Sequence, residues 1–365
     1  MKKSRILFIS PLPPPVHGSA MVSKYIKDSQ LVNGQFDCDF VNLSTSRRMD
    51  EIGKGGVKKI FRFIGSYFAV FFKLLTHRYD LCYLAITCHG VGFLKDAPFV
   101  LLCKLFRRKI VIHQHNKGMS NCVDRKPYKW LLPLVYRNTK VILLSWYLYP
   151  DIEKVVKKEQ VLICPNGIPE ISDNAPHFMG NNEVPHLLFL SNLIPSKGVY
   201  VLLDACKILK DKGLRFVCNF VGGETKEISR RVFEAEVRKR GLDEVVAYHG
   251  PKYGDEKECY WDGADVFVQP TYEDCFPLTI VEAMMHGKPV AATNEGAVPD
   301  LVKHGVNGFV CQRKDVFSLA DALELLINNP GLRLQMGQRG YEQYKKEYTL
   351  TAFERKFIEC LEFSL

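Results

Sequence analysis

Short apolar runs alternate with longer amphipathic stretches along the whole chain. In the first half "RILFIS", "FDCDFVNLS", "DLCYLAI", "KIVIHQHNKGM" and "VLICPNGIP" are runs of strand length. Near-continuous apolar runs of this kind read as strands buried on both faces of a parallel sheet. After the first of them, "PLPPPVHGSAMVSKYI" gives a rigid loop, Gly18 and a helix. A strand, a glycine loop and a helix N-terminus open a Rossmann-like unit. "APFVLLCKLFRR" predicts a helix, and "KVILLSWYLYPDI" a strand followed by a helix. The pattern restarts after a polar, proline-containing linker over 170–185. "HLLFLSNLIPSKGVYVLLDACKIL" is again strand, loop and helix, "FVCNFVGGE" a strand and glycine turn, and "VVAYHGPKYGDEKECYWDGADVFVQPT" strand, helix and strand. "PVAATNEGAVPDLVKHGVNGFV" holds one more strand, and the chain ends in helices, the last of them amphipathic. The fold class is therefore α/β, two Rossmann-like domains in tandem, and the crevice between two such domains is the default place for a ligand.

One segment departs from this rhythm. "GKGGVKKIFRFIGSYFAVFFKLLTHRY" is aromatic and basic at once. Ile60, Phe63, Ile64, Tyr67, Phe68, Phe71, Leu74 and Leu75 recur at helical spacing, and Lys58, Lys59, Arg62, Lys73 and Arg78 supply a polar side. Two readings stay open: an ordinary amphipathic helix packed on the sheet, or a helix whose outer edge meets a membrane interface.

Composition narrows the class. A chain of 365 residues has room for two domains. Its 47% hydrophobic and 25% charged content is that of a soluble globular protein. No uninterrupted apolar run of about 18 residues predicts a spanning helix, and "RILFISPLPP" is too short for a signal peptide. Twelve cysteines, none in a C-x-x-C pair, suit buried thiols in a reducing cytoplasm rather than disulfides or zinc. Charge is uneven. Through Pro165 the chain carries 27 Lys and Arg against 11 Asp and Glu, and the remaining 200 residues carry 23 against 29. A basic half invites an anionic partner, whether lipid or substrate. With no nucleic-acid motif in the sequence, nucleic acid ranks last.

The most informative stretch is "QPTYEDCFPLTIVEAMMHGKP", from Gln269 to Pro289. Its left half reads as a loop and Leu278 to His286 as a helix, stopped by Gly287 and Pro289. A loop feeding a helix N-terminus is an anion cradle, because free N–H groups and the positive end of the dipole both face the ligand. Glu282, a turn into the helix, is misplaced for phosphate and well placed to accept from sugar hydroxyls. Cradle and acceptor together suit a nucleoside-diphosphate sugar.

"EDCFPLTIVEAMMHGKPV" resembles the acid–x7–acid motif of the retaining glycosyltransferases of family 4, the GT-B type. Counting back from Phe276, the first acidic position is Asp274, where the family usually has Glu. Pro277 stands where Gly is usual and has no N–H to give, so main-chain contacts to a diphosphate fall to Phe276, Leu278 and Thr279. "NLIPSKG" resembles the family's phosphate loop, with Lys197-Gly198 matching and Asn192 in the place of an arginine. Loss of that guanidinium fork leaves Lys197 as the main cation. The strand end at His113 and His115 resembles the family's too, and His115 fits best the position that faces the donor sugar. His17-Gly18 stands where the family often has two glycines. A plain tight turn remains the other reading of Gly18.

The resemblance implies domains of 1–169 on the acceptor side and 170–350 for the donor, with a terminal helix at about 351–365 packed back on the first. It implies that a sugar passes from a UDP- or GDP-linked donor to a lipid-linked or polysaccharide acceptor, with retained configuration, in bacterial cell-surface glycan synthesis. Lys197 would steady the leaving diphosphate, Glu282 would hold the ribose, and Asp274 and His115 the sugar hydroxyls. Neither metal nor other cofactor is expected. The expected location is cytoplasmic, in peripheral contact with the anionic inner face of the membrane. Two other readings are a nucleotide-sugar sensor that does not transfer and a two-domain dehydrogenase, the latter opposed by the lack of a G-x-G-x-x-G sequence.

Overall fold

A computed structural model describes residues 3–14, 18–44, 56–170, 176, 178 and 182–365, with the backbone alone at 57 and 58. His17, Lys54 and the Lys58 side chain lie outside the described residues. The chain divides into two compact units, Met1–Gly167 with Leu350–Leu365, and Ile168–Thr349.

In the first unit the apolar runs form six parallel strands. These are β1 (Arg5–Ser10), β2 (Asp37–Asn42), β3 (Leu81–Ala85), β4 (Lys109–Gln114), β5 (Lys140–Leu143) and β6 (Val161–Ile163), in the order β2-β1-β3-β4-β5-β6. Helices α1 (Gly18–Asp28) and α2 (Gln30–Gln35) precede β2. Next come α3 (Val57–Thr76), α4 (Gly90–Leu105) and α5 (Tyr128–Tyr136), which connect β2 through β5. Parallel strands need such crossovers, and the helices cover the sheet that the crossovers create. On one face Ile6, Phe8, Tyr83 and Val111 pack with Val22 and Ile26 of α1 and with Phe353 and Phe357. The last two come from the far end of the chain.

The second unit repeats the plan. Its strands are β7 (His186–Leu190), β8 (Val217–Val221), β9 (Val246–Tyr248), β10 (Val266–Gln269), β11 (Val290–Thr293) and β12 (Gly308–Cys311), in the order β12-β11-β10-β7-β8-β9. Its helices are α6 (Val199–Asp211), α7 (Arg230–Lys239), α8 (Asp255–Gly263), α9 (Leu278–Met285), α10 (Val298–Leu301), α11 (Val316–Asn328) and α12 (Pro330–Gln343). The chain then returns to the first unit as α13 (Leu350–Ser364). The strand order reverses between β7 and β10, which pair directly although β8 and β9 separate them in sequence. In an open parallel sheet the ligand crevice lies beyond the carboxyl ends of the strands at such a reversal.

Two sequence expectations are corrected. "SWYLYPD" forms a short 3-10 helix, Trp146–Asp151, rather than an α-helix, since Pro150 cannot donate to a longer ladder. Past β11 there is a second strand, β12, where one was expected. At four residues it is too short to leave a periodic trace.

Candidate functional site

At the carboxyl ends of β7 and β10 two loops lean on each other. The chain leaves β7, makes one 3-10 turn over Pro195–Lys197, and starts α6 after Gly198. Gly198 has φ of +85°, and a Cβ there would lie 2.1 Å from the Pro270 carbonyl oxygen. Only glycine allows that backbone conformation and that approach together. The Ser196 carbonyl accepts from the Tyr272 N–H at 2.9 Å and from Thr271 Oγ1 at 3.1 Å. Lys197 is thereby aimed at the second loop, with its Nζ 2.5 Å from Asp274 Oδ2. Both partners are shielded, with Asp274 14% exposed and Lys197 23%.

Asp274 is held from behind as well. Its Oδ1 accepts from the Cys275 N–H at 2.8 Å, and its own N–H donates to Glu295 Oε1 at 3.2 Å. Glu295 is buried, and its other oxygen accepts from Arg313 Nη1 at 2.9 Å. The turn that carries Glu295 presses on the same loop. Gly296 has φ of +52°, and a Cβ on it would stand 2.4 Å from the Asp274 carbonyl oxygen. A buried carboxylate needs a charge partner and hydrogen bonds to be tolerated; Glu295 has both.

The second loop then enters α9. Phe276 is buried with its ring 6.3 Å from that of Tyr348, and Pro277 caps the helix. Leu278 and Thr279 form the first turn, whose N–H groups have no acceptor within the helix. Thr279 Oγ1 donates to Gln269 Oε1 at 3.3 Å. One turn on, Glu282 Oε2 lies 3.1 Å from Nζ of Lys257, which comes from α8. Asn192 sits in the first loop, where its Oδ1 accepts from the Gly223 N–H at 2.9 Å and ties the turn after β8 to the loop after β7.

Lys197, Asp274, Phe276, Leu278 and Thr279 thus meet on adjoining loops, with Glu282 on the same helix and Asn192 beside it. Gly18 and His115 belong to the first unit. Gly18 is the first residue of α1, beyond β1. The two histidines differ. His113, inside β4, is fully buried with Nδ1 2.9 Å from the Tyr83 hydroxyl, and its ring stacks 6.1 Å from Phe357. Burial, then the nearby His115, hold its pKa well below the usual imidazole value. It is a neutral core residue. His115 lies just past the strand, half-buried, with its ring 4.0 Å from that of His113.

Lys257 and Arg313 escaped the sequence reading. Each is an isolated surface-type cation in its own segment and acquires meaning only from a carboxylate 25 or 18 residues away. Glu295 did not escape that reading, because the Glu295-Gly296 turn resembles a family turn near the donor in sequence. Among the described residues no group of three or more His, Cys, Asp or Glu side chains is placed to hold a metal ion. The arrangement offers lysine charge and a helix N-terminus to an anion, and carboxylates to hydroxyls.

Residues 176–343 match the family model for glycosyl transferases group 1. An uncharacterized glycosyltransferase of Methanocaldococcus jannaschii is 29% identical over 207 residues, 57% of this chain and 55% of the relative. A D-inositol 3-phosphate glycosyltransferase of Pseudarthrobacter chlorophenolicus is 30% identical over 159 residues, 42% of this chain and 37% of the relative. The matches therefore span about half or less of these relatives' own lengths. Among solved structures, HepE of Anabaena in complex with UDP superposes with a TM-score of 0.73 at 16% identity, covering 98% of this chain and 100% of that one. The fold is GT-B, with two Rossmann-like domains.

Proposed function

We propose, from the match of residues 176–343 to the glycosyl transferases group 1 model within a GT-B fold, that the protein is a retaining glycosyltransferase that uses a UDP- or GDP-linked sugar. The observation that carries this reading is the Lys197–Asp274 pair at the strand-order reversal of the second sheet, beside the N-terminus of α9. That HepE was solved with UDP supports a nucleotide donor.

The chemistry follows from the residues. As the anomeric carbon–oxygen bond breaks, negative charge grows on the leaving diphosphate. Lys197 and the N–H groups of Phe276, Leu278 and Thr279 would stabilise that charge in place. Asp274, anchored through Glu295 and Arg313, would accept from sugar hydroxyls, as would His115. Glu282 would accept from the ribose hydroxyls, with Lys257 holding its carboxylate. Asn192 would border the diphosphate and Gly18 the donor phosphates. The lysines supply the positive charge, so the reading requires no metal. The basic and aromatic first unit favours a lipid-linked or polysaccharide acceptor in cell-surface glycan synthesis, at the inner face of an anionic membrane. No helix among the described residues is long and apolar enough to cross one.

A thermal-shift screen of UDP- and GDP-linked sugars tests the donor class, since a ligand that binds only the folded state stabilises it by about 2.7 kcal/mol at a hundred times its Kd. A rise in Tm with at least one such sugar supports the reading. A flat response to every nucleotide sugar, with an active-site shift for a nicotinamide dinucleotide instead, would overturn it.

A further inference from the structure

Helix α3 carries apolar residues on two sides, and one side already has its partners. Phe63 packs edge-on against Phe99 of α4 at 5.5 Å, Phe71 against Phe106 at 5.9 Å, and Val70 and Leu74 are buried. The other side is bare. Ile60, Phe61, Ile64, Phe68, Phe72 and Leu75 are each between 41% and 69% exposed. With about 100° between successive residues, all six fall within a sector of about 120°, and they run for about 22 Å along the axis. Scattered exposed apolar residues need no explanation, whereas a contiguous ridge of them marks a binding surface.

Charge decides what covers the ridge. Between Ile52 and Lys140 the sequence has 17 Lys and Arg against three acids, Asp80, Asp96 and Asp124. Asp96 is buried, and α3 has no acid at all. By the same helical spacing Lys59 and Arg62 fall on the far side of α3 from the ridge. In the same layer, α5 exposes Trp130 and Leu134, with Lys126 Nζ 5.1 Å over the Trp130 ring. A second copy of the chain would bring two strongly basic units together. An apolar ridge on a strongly basic unit suits a surface that lies in a membrane interface, and an anionic leaflet supplies the opposite charge.

We propose that the α3 ridge seats the first unit in the surface of an anionic bilayer. The six apolar side chains enter the boundary between headgroups and acyl chains, and basic residues elsewhere on the unit, Lys126 beside Trp130 among them, face the lipid phosphates. This deepens, and rests on, the membrane contact in the functional reading above. It differs from adhesion by charge alone, because burial of the ridge persists when salt screens the charges.

Sedimentation with vesicles of equal parts phosphatidylcholine and phosphatidylglycerol tests it. Wild type should pellet at low salt and stay largely bound at about 1 M salt, where screening acts over about 3 Å. The variant F61S/F68S/F72S should lose binding by about tenfold or more, because the inserted apolar area sets the affinity. These side chains are exposed, so its melting curve and its response to nucleotide sugars should match wild type. That control separates failure of the docking surface from failure of the transferase reading. Wild type that stays in the supernatant overturns the proposal, as does a variant that pellets as well as wild type. A ridge-dependent dimer seen by light scattering, without vesicle binding, would also overturn it and assign the face to a second copy.

Discussion

At the residue scale, one carboxylate and one lysine answer different questions. Glu282→Ala should weaken donor binding by about 1–3 kcal/mol, the cost of leaving buried hydroxyls unpaired, or roughly tenfold to a hundredfold in Kd. Calorimetry on the folded variant checks this, and unchanged affinity removes Glu282 from the ribose role. Lys197→Ala should act on turnover, because its partner is charge that grows in the transition state. The expected loss in kcat is about a hundredfold to a thousandfold, with a small change in Tm. A large fall in Tm with normal kcat would make the lysine structural. Asp274, Glu282 and Lys197 were legible in the sequence because each belongs to a local motif of fixed spacing. Lys257 and Arg313 were not, since their partners are set by how α8 and the end of β12 pack, and single-segment patterns carry no trace of that. In sequence only the family resemblance told His115 from His113. The sheet separates them, burying one against Tyr83 and Phe357 and leaving the other at the strand's end.

At the element scale, α9 sets a pH dependence. His286 follows its last turn, stacked on Trp261 at 5.2 Å, with Nε2 3.2 Å from Glu258 Oε2. A helix C-terminus favours a cation by up to about 2 kcal/mol, yet burial wins, aided by Lys288 and Lys257, and lowers the pKa from 6.5 to about 4. Between those two values the unfolded chain binds the extra proton. The contribution is therefore complete above pH 6.5 and is lost as pH falls toward about 4, by at most about 3 kcal/mol. Chemical denaturation across that window should show a shallower fall for His286→Gln than for wild type. An identical slope in both would contradict the buried, neutral imidazole. Helix α3 shows why an element can be legible while its orientation is not. The apolar spacing predicted one helix correctly, but a helix apolar on both sides has no unique inward face. The structure turns Phe63, Phe71 and Leu74 in and leaves Ile60, Ile64 and Phe68 out. Lys73, expected on a solvated side, is turned to Asp39 at 2.7 Å.

At the scale of the whole molecule, the chain makes one sheet, then a second, and returns to complete the first core with α13. Phe357 packs on Tyr83 at 5.3 Å and on Phe353 at 5.7 Å. Phe357→Ala should lower the stability of the first unit by about 3–5 kcal/mol, as other buried Phe truncations do. Calorimetry of unfolding reads the loss, and an unchanged transition would contradict the place of α13 in that core. The repeated strand–loop–helix rhythm made the two-sheet architecture readable in advance, because parallel strands buried on both faces leave long apolar runs. Strand order was not readable. The runs say which segments are strands, but the reversal between β7 and β10 that creates the crevice is a matter of pairing. The most direct test of the central claim is release of nucleoside diphosphate from the sugar nucleotide chosen by the thermal-shift screen, followed with EDTA present and with an acceptor. The account predicts release that survives EDTA, a product of the same anomeric configuration as the donor, and collapse of turnover in Lys197→Ala. A folded wild-type protein that releases no diphosphate from any UDP- or GDP-linked sugar, or releases it only when magnesium or manganese is restored, would contradict it.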